Sequence, residues 1–171
     1  LTASGTCLTT AQMPTGHVPN LVTGNVVACS NPDCSTCNLN YLSCTACTTL
    51  YLYNAACVAA NTLPAGIGAN TATHVAVPCS IADCTACQST YTTCTACSTS
   101  GSTYLYNSNC VLPSALPAGM GANTVTHVAV ACNNVDCTAC QNNYLSCTAC
   151  STSGSTYLYN SNCVRPSALP A

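Results

Sequence analysis

The 171-residue sequence has no Lys, Glu, Phe or Trp, and its charged side chains are limited to Asp33, Asp83, Asp136 and Arg165. A surface with a single cation cannot neutralise a row of phosphates, which excludes nucleic acid and anionic membranes as main partners. Without Phe or Trp the large apolar anchors of an ordinary core are scarce, so cross-links must replace part of that core. The apolar runs fall far short of the roughly 18 residues a membrane-spanning helix needs. No Asn stands in an Asn-x-Ser/Thr sequence, so glycans are expected to be O-linked to Ser or Thr, which make up about a quarter of the chain. Such a sugar coat would keep hydrated a protein whose net charge is only −2. The sequence opens on Leu1 with no basic, apolar leader, and is read as a processed mature product.

Cysteine is abundant: nineteen residues, about a ninth of the chain. That level marks a disulfide scaffold, and paired cysteines require an oxidising compartment, so an extracellular protein is expected. The cysteines follow a tandem pattern. Cys29, Cys79 and Cys132 each open a unit of the form Cys-x4-Cys-x2-Cys-x6-Cys-x2-Cys-x9 or x12-Cys-x21. Cys7 reads as the last cysteine of a preceding unit, and Cys163 has no cysteine after it. The segments 97–118 and 150–171 differ only at Leu112 against Arg165, which indicates tandem duplication. The expected organisation is a half-repeat at 1–28, repeats at 29–78 and 79–131, and a repeat at 132–171 truncated before its closing cysteine. The expected fold class is small, disulfide-rich, mostly β and irregular, an elongated tandem array of repeats of about 50 residues.

Each repeat carries two strand signals, Tyr104-Leu105-Tyr106 and Thr126-His127-Val128-Ala129-Val130 in the second. The stretch between them, Leu116 to Asn123, contains a Pro and two Gly, and is read as irregular. A β-finger closed by cysteines at its base is expected.

Two Cys-x2-Cys pairs per repeat invite a zinc reading, but ribbon-type halves stand about 15 to 20 residues apart, whereas Cys87 and Cys94 are separated by six residues. A redox thiolate needs a nearby cation or a helix N-terminus, and neither is in evidence. No metal, cofactor or catalytic residue is therefore assigned, and no enzyme is expected. The structural reading pairs the cysteines crosswise, as Cys34–Cys44, Cys37–Cys47, Cys84–Cys94, Cys87–Cys97, Cys137–Cys147 and Cys140–Cys150. The x21 pairs Cys7–Cys29, Cys57–Cys79 and Cys110–Cys132 would close the fingers. Cys163 is left unpaired or intermolecular, a link that would join protomers end to end. Spacing leaves other registers open, Cys94 with Cys110 among them.

Asp33, Asp83 and Asp136 share one repeat position, where an Asx-turn is expected. His74 and His127 share another, read as a strand-surface position, whereas His17 lies seven residues before the equivalent place, which Gly24 occupies. Each Tyr-Leu-Tyr is expected to pack over the disulfides, with a sugar or an aromatic partner as the alternative.

The series Cys84-Thr85-Ala86-Cys87, Tyr91, Cys94-Thr95-Ala96-Cys97, Tyr104-Leu105-Tyr106 and Cys110 resembles furin-like, growth-factor-receptor-type cysteine-rich repeats, and more closely the repeats of ciliate surface (immobilisation) antigens. Equivalents of these residues cover nearly all of the chain. Diplomonad variant surface proteins also use many Cys-x2-Cys pairs, but the lysines common in them are absent here. The resemblance implies a secreted, non-enzymatic surface protein, often held by a glycolipid at the C-terminus, where Pro166–Ala171 offers small residues. The expected function is a protective extracellular coat or fibre, with a filament protomer joined through Cys163 as the alternative. A carbohydrate- or ligand-binding adhesin and a Cys-x2-Cys metal-binding protein are the readings from other classes.

Overall fold

The computed structural model describes residues 7–37 and 40–170. Residues 1–6 of the expected half-repeat, and Ala171, lie outside the described residues. Among these, short strands and irregular segments carry the fold, with single-turn 3-10 helices and no α-helix. The small, disulfide-rich, mostly β architecture expected from the sequence is present as hairpin units repeated in tandem. By Cα packing the chain divides into two compact units, one of residues up to Cys79 with Cys87–Thr92, the other of Ser80–Ala86 with Thr93 onward.

Three hairpin types recur. The knot hairpin pairs the two Cys-x2-Cys segments, Cys34–Cys37 with Cys44–Cys47 in the first unit, and Cys84–Ala86 with Ala96–Cys97 and Cys137–Ala139 with Ala149–Cys150 in the second. The tyrosine hairpin pairs Tyr51–Tyr53 with Ala56–Val58, Tyr104–Tyr106 with Asn109–Val111, and Tyr157–Tyr159 with Asn162–Val164. Its two-residue turns, Asn54-Ala55, Asn107-Ser108 and Asn160-Ser161, have positive φ at both positions, 46–47° and then 59–61°. This is a type I′ turn, whose twist suits two antiparallel strands, and Asn tolerates its left-handed first position better than most residues.

The finger pairs Ile67–Asn70 with Val75–Pro78 in the first unit and Met120–Asn123 with Val128–Ala131 in the second. Met120–Asn123 and Ile67–Asn70 are thus regular strands, despite the glycines that led the sequence reading to leave them irregular. A finger and a tyrosine hairpin join into one four-stranded sheet, because Tyr51–Tyr53 runs parallel to Val75–Pro78 at Leu52 opposite Val75. Leu105 opposite Val128 repeats this arrangement in the second unit. The first finger, His17–Pro19 with Val26–Ala28, and the last tyrosine hairpin are two-stranded among the described residues.

The glycines have a packing reason. Gly68 and Gly121 lie mid-strand, where Gly normally weakens a sheet, but both are buried. A Cβ placed on Gly121 would clash with the Cys140 carbonyl and stand 2.6 Å from Cys140 Sγ and 2.7 Å from Tyr144 Cα. Gly68 meets Cys87 and Tyr91 in the same way. The close approach lets the segment after the third cysteine bond the outer edge of the finger, with Ala122 N donating to Gln141 O at 3.0 Å and Tyr144 N to Ala122 O at 3.2 Å. Ala69 bonds Gln88 and Tyr91 alike. A covered edge strand is no longer a template for aggregation.

The interior is largely sulfur. The largest fully buried side chains are Cys87, Cys94 and Cys140. Gly121→Ala is expected to destabilise the second unit by about 1–3 kcal/mol, because backbone atoms must move to admit the methyl group. Thermal unfolding of the oxidised protein measures this, and an unchanged melting temperature would contradict the close packing.

Candidate functional site: the disulfide clusters

Cysteines bond only where the backbone brings their Cα atoms within about 7 Å. The structure makes nine such bonds, in the same order in each repeat: first cysteine to third, second to fourth, fifth to sixth. The first repeat has Cys29–Cys37, Cys34–Cys44 and Cys47–Cys57. The second has Cys79–Cys87, Cys84–Cys94 and Cys97–Cys110. The third has Cys132–Cys140, Cys137–Cys147 and Cys150–Cys163.

Cys34–Cys44, Cys84–Cys94 and Cys137–Cys147 thus coincide with the crosswise reading, and the other six expected pairs are corrected. Cys37–Cys47, Cys87–Cys97 and Cys140–Cys150 do not form, because a cysteine from outside the knot hairpin reaches each of these residues. The tyrosine hairpin explains one side of this. Its tight turn sets Cys57 opposite Leu52 and returns it to Cys47, ten residues earlier. The finger explains the other. Its base is Gly66, whose carbonyl accepts from Cys79 N at 2.9 Å, so Cys79 sits across from Gly66 and not from Cys57. Cys57–Cys79 and Cys110–Cys132 are excluded by this register, and Cys7–Cys29 likewise, since Cys29 N bonds Gly16 O at 2.7 Å and its sulfur is bonded to Cys37.

Cys163 is neither free nor intermolecular. It is buried and bonded to Cys150, and the exposed free cysteine is Cys7. The turn signal was present in the sequence: Tyr-Leu-Tyr and the following cysteine segment are separated by two residues beginning with Asn, the spacing of a tight hairpin.

In each repeat two disulfides abut. Cys44 Sγ lies 3.3 Å from Cys57 Sγ, Cys94 Sγ 3.5 Å from Cys110 Sγ, and Cys147 Sγ 3.3 Å from Cys163 Sγ. Cys34, Cys44 and Cys57 gather their sulfurs within 4.8 Å, as do Cys94, Cys97 and Cys110 and also Cys137, Cys147 and Cys163. A metal is held by thiolates, and every one of these sulfurs is in a disulfide, so the clusters in this bonded state offer no such ligand set.

The aspartates serve the same scaffold. Asp33 is not itself the Asx-turn cap expected for it: Asn31 Oδ1 accepts from Asp33 N at 2.9 Å, and Asn134 Oδ1 does the same for Asp136 N. The Asp33 carboxylate instead reaches forward, accepting from Thr49 Oγ1 at 2.6 Å, from Thr49 N at 3.0 Å and from Leu50 N at 2.7 Å. It thereby clasps the segment between the knot hairpin and the tyrosine hairpin. The hydrogen bond from Thr49 Oγ1, with backbone donors behind it and desolvation opposing, lowers the Asp33 pKa from its ordinary value. Asp83 Oδ2 accepts from Thr103 Oγ1 at 3.3 Å, and Asp136 packs against Gly154.

Neither His74 nor His127 is on a strand. His74 and His127 have φ of 54° and precede the inner finger strand. His74 stacks on Tyr51 with ring centroids 5.8 Å apart, and His127 on Tyr104 at 5.5 Å. Their carbonyls accept from Leu52 N and Leu105 N, both at 2.8 Å. Gly24 holds the equivalent place in the first finger with φ of 70°. His17 is exposed, with Nδ1 3.1 Å from Thr15 O. Titratable side chains are therefore distributed by the repeat. A concavity of about 270 Å³ beside the first tyrosine hairpin is lined by Ser30, Asn31, Pro32, Tyr41, Leu42 and Ala55 among others, with no acid or base.

Comparison with protein-family models, with curated proteins and with solved structures finds no match to this chain. What defines it is its own construction, a cysteine-rich protein of small β repeats stapled by disulfides. Dense disulfide bonding places such a protein outside the reducing cytosol. Among the described residues no helix is long and apolar enough to cross a membrane.

Two outcomes test the site. Alkylation of the folded, unreduced protein should label Cys7 and leave Cys163 unlabelled, as read by peptide mass spectrometry; labelling of Cys163 would contradict its bond to Cys150. The depressed Asp33 pKa makes a stabilising contribution that is present above the unfolded value of about 3.9 and is lost as pH falls through the folded value. Asp33→Asn should therefore lower stability at neutral pH and flatten the acid limb of a melting-temperature profile below about pH 4. An acid limb identical to that of the parent would contradict the clasp.

Proposed function

We propose that the chain is a non-enzymatic structural protein of an extracellular coat or fibre, O-glycosylated on Ser or Thr and associating with copies of itself. One observation carries this reading: the same three-disulfide closure is built three times from nearly the same residues, with Asp33, His74 and His127 spent on holding backbone. Repetition of a scaffold without a distinct reactive centre suits a material whose task is to persist. The resemblance to ciliate surface antigens supports a place at the cell surface and a glycolipid anchor at the C-terminus.

A covalent fibre joined through Cys163 is set aside, because that sulfur is bonded within its own repeat. Self-association in this reading is non-covalent.

Sedimentation velocity and negative-stain electron microscopy of the oxidised protein test this. Concentration-dependent assemblies are expected. A strictly monomeric protein would overturn self-association.

A further inference from the structure

The hydroxyl side chains of the knot hairpins and of the finger tips differ in their bonding. Those in the knot hairpins are engaged across the strands. Ser35 Oγ donates to Ala46 O and Thr45 Oγ1 to Thr36 O. Thr85 and Thr95 bond Ala96 O and Ala86 O, and Thr138 and Thr148 bond Ala149 O and Ala139 O, at 3.0–3.1 Å. These hydroxyls are part of the scaffold, and a substituent on any of them would displace a cross-strand hydrogen bond.

The tips of the second and third fingers are built differently. Each is an Asn-Thr-x-Thr-His turn, Asn70 to His74 and Asn123 to His127. The backbone of the turn is pinned: Asn70 Oδ1 accepts from Ala72 N and Thr73 N at 3.1 and 3.2 Å, and Asn123 Oδ1 from Val125 N and Thr126 N at 3.0 and 3.2 Å. The main chain of Asn70 and Asn123 accepts from His74 N and His127 N, each at 2.9 Å. Thr71, Thr73, Thr124 and Thr126 are exposed, and among the described residues none of their hydroxyls makes a hydrogen bond. A fixed turn therefore presents two hydroxyls to solvent.

The residue between them is small or apolar, Ala72 or Val125, and Val125 is 87 % exposed. The tips carry no charged side chain to keep them hydrated. A protein with so few charges that holds an aliphatic side chain outermost on a tip invites association through it. A sugar on each side of that residue supplies bulk and hydration at the place where the chain itself has neither.

We propose that Thr71, Thr73, Thr124 and Thr126 are the O-glycan acceptors of this chain. The proposal rests on the reading of an extracellular glycoprotein and names where its sugar is attached. The donor is a phosphate-activated sugar. The threonine Oγ1 bonds to the anomeric carbon as the bond from that carbon to the phosphate oxygen breaks. The phosphate leaves with the electron pair, and the hydroxyl proton passes to a base of the transferase. The first finger differs, since Leu21 stands at the first tip position and Thr23 Oγ1 accepts from Asn25 N at 3.4 Å, so a doubly modified tip is confined to the second and third fingers.

The experiment is site-resolved mass spectrometry of native protein, fragmented by electron transfer so that sugars stay on their side chains. Increments of hexose or N-acetylhexosamine are expected at the four fingertip threonines and not at Thr45, Thr85, Thr95, Thr138 or Thr148. Sugar found only elsewhere would overturn the fingertip assignment and leave the glycoprotein reading standing. Protein without sugar, or with phosphate at these threonines, would overturn both. Expressed in a glycosylating secretory host, the fourfold variant T71A/T73A/T124A/T126A should lose most of its attached sugar mass. Retention of the full sugar mass would likewise overturn the assignment.

Discussion

The structure depends on one geometric constraint: which cysteines the backbone turns bring within bonding reach. All nine Cα–Cα separations are 5.6–5.8 Å, near the middle of the range for disulfides. A tight turn at Asn54-Ala55 carries Cys57 back toward Cys47, and the finger register sets Cys79 against Gly66. Once these two turns form, Cys57 and Cys79 are directed to different partners. Connectivity is a consequence of hairpin geometry, and the sulfurs record it.

Local closure also explains how so lean a sequence holds a fold. Bridged cysteines are 8, 10 or 13 residues apart, and in the chain-entropy account a loop of this size stabilises by about 2.5–3 kcal/mol. Because closure is confined to a repeat, the loop between fifth and sixth cysteines can change length cheaply. Lengthening the separation from 10 to 13 residues costs about 0.2 kcal/mol in closure entropy, which is why the Ser-rich insertion at 98–102 leaves the bonding order intact. Bonds of this kind need no large apolar side chains. The close approaches at Gly68 and Gly121 then join the finger edge to the following disulfide without requiring volume.

The repeat, its cysteine formula and its β character were legible in the sequence because each is written in spacing or composition. The disulfide order was only partly legible. Cys34–Cys44 follows from pairing the two Cys-x2-Cys segments, but Cys47–Cys57 follows from a turn between Tyr53 and Ala56, and a strand read without its return partner leaves Cys57 without direction. The x21 interval misled because two strands do occupy it, although the finger begins at Gly66, well after Cys57. Glycine was read as a breaker of regular structure, whereas at Gly121 its missing side chain is what admits the Cys140 backbone. The aspartates were correctly grouped by repeat position, but the distance over which Asp33 acts, sixteen to seventeen residues ahead, has no local signature.

Gly24 joins these points. In sequence it appeared only as the residue standing where two repeats have histidine. Structurally all three positions have φ between 54° and 70°, so the shared requirement is a left-handed turn entering the inner finger strand. Glycine meets that requirement at little steric cost. Histidine meets it against its own conformational preference, which implies a compensating gain, and the stack on Tyr51 or Tyr104 supplies one. The residue after each histidine enters the only parallel pairing among the described strands, Val75 opposite Leu52 and Val128 opposite Leu105. Histidine here is a packing residue that accepts backbone strain to hold a finger against a tyrosine hairpin. That assignment explains why the finger tips, with their turns already fixed by Asn70 and Asn123, have threonine hydroxyls to spare.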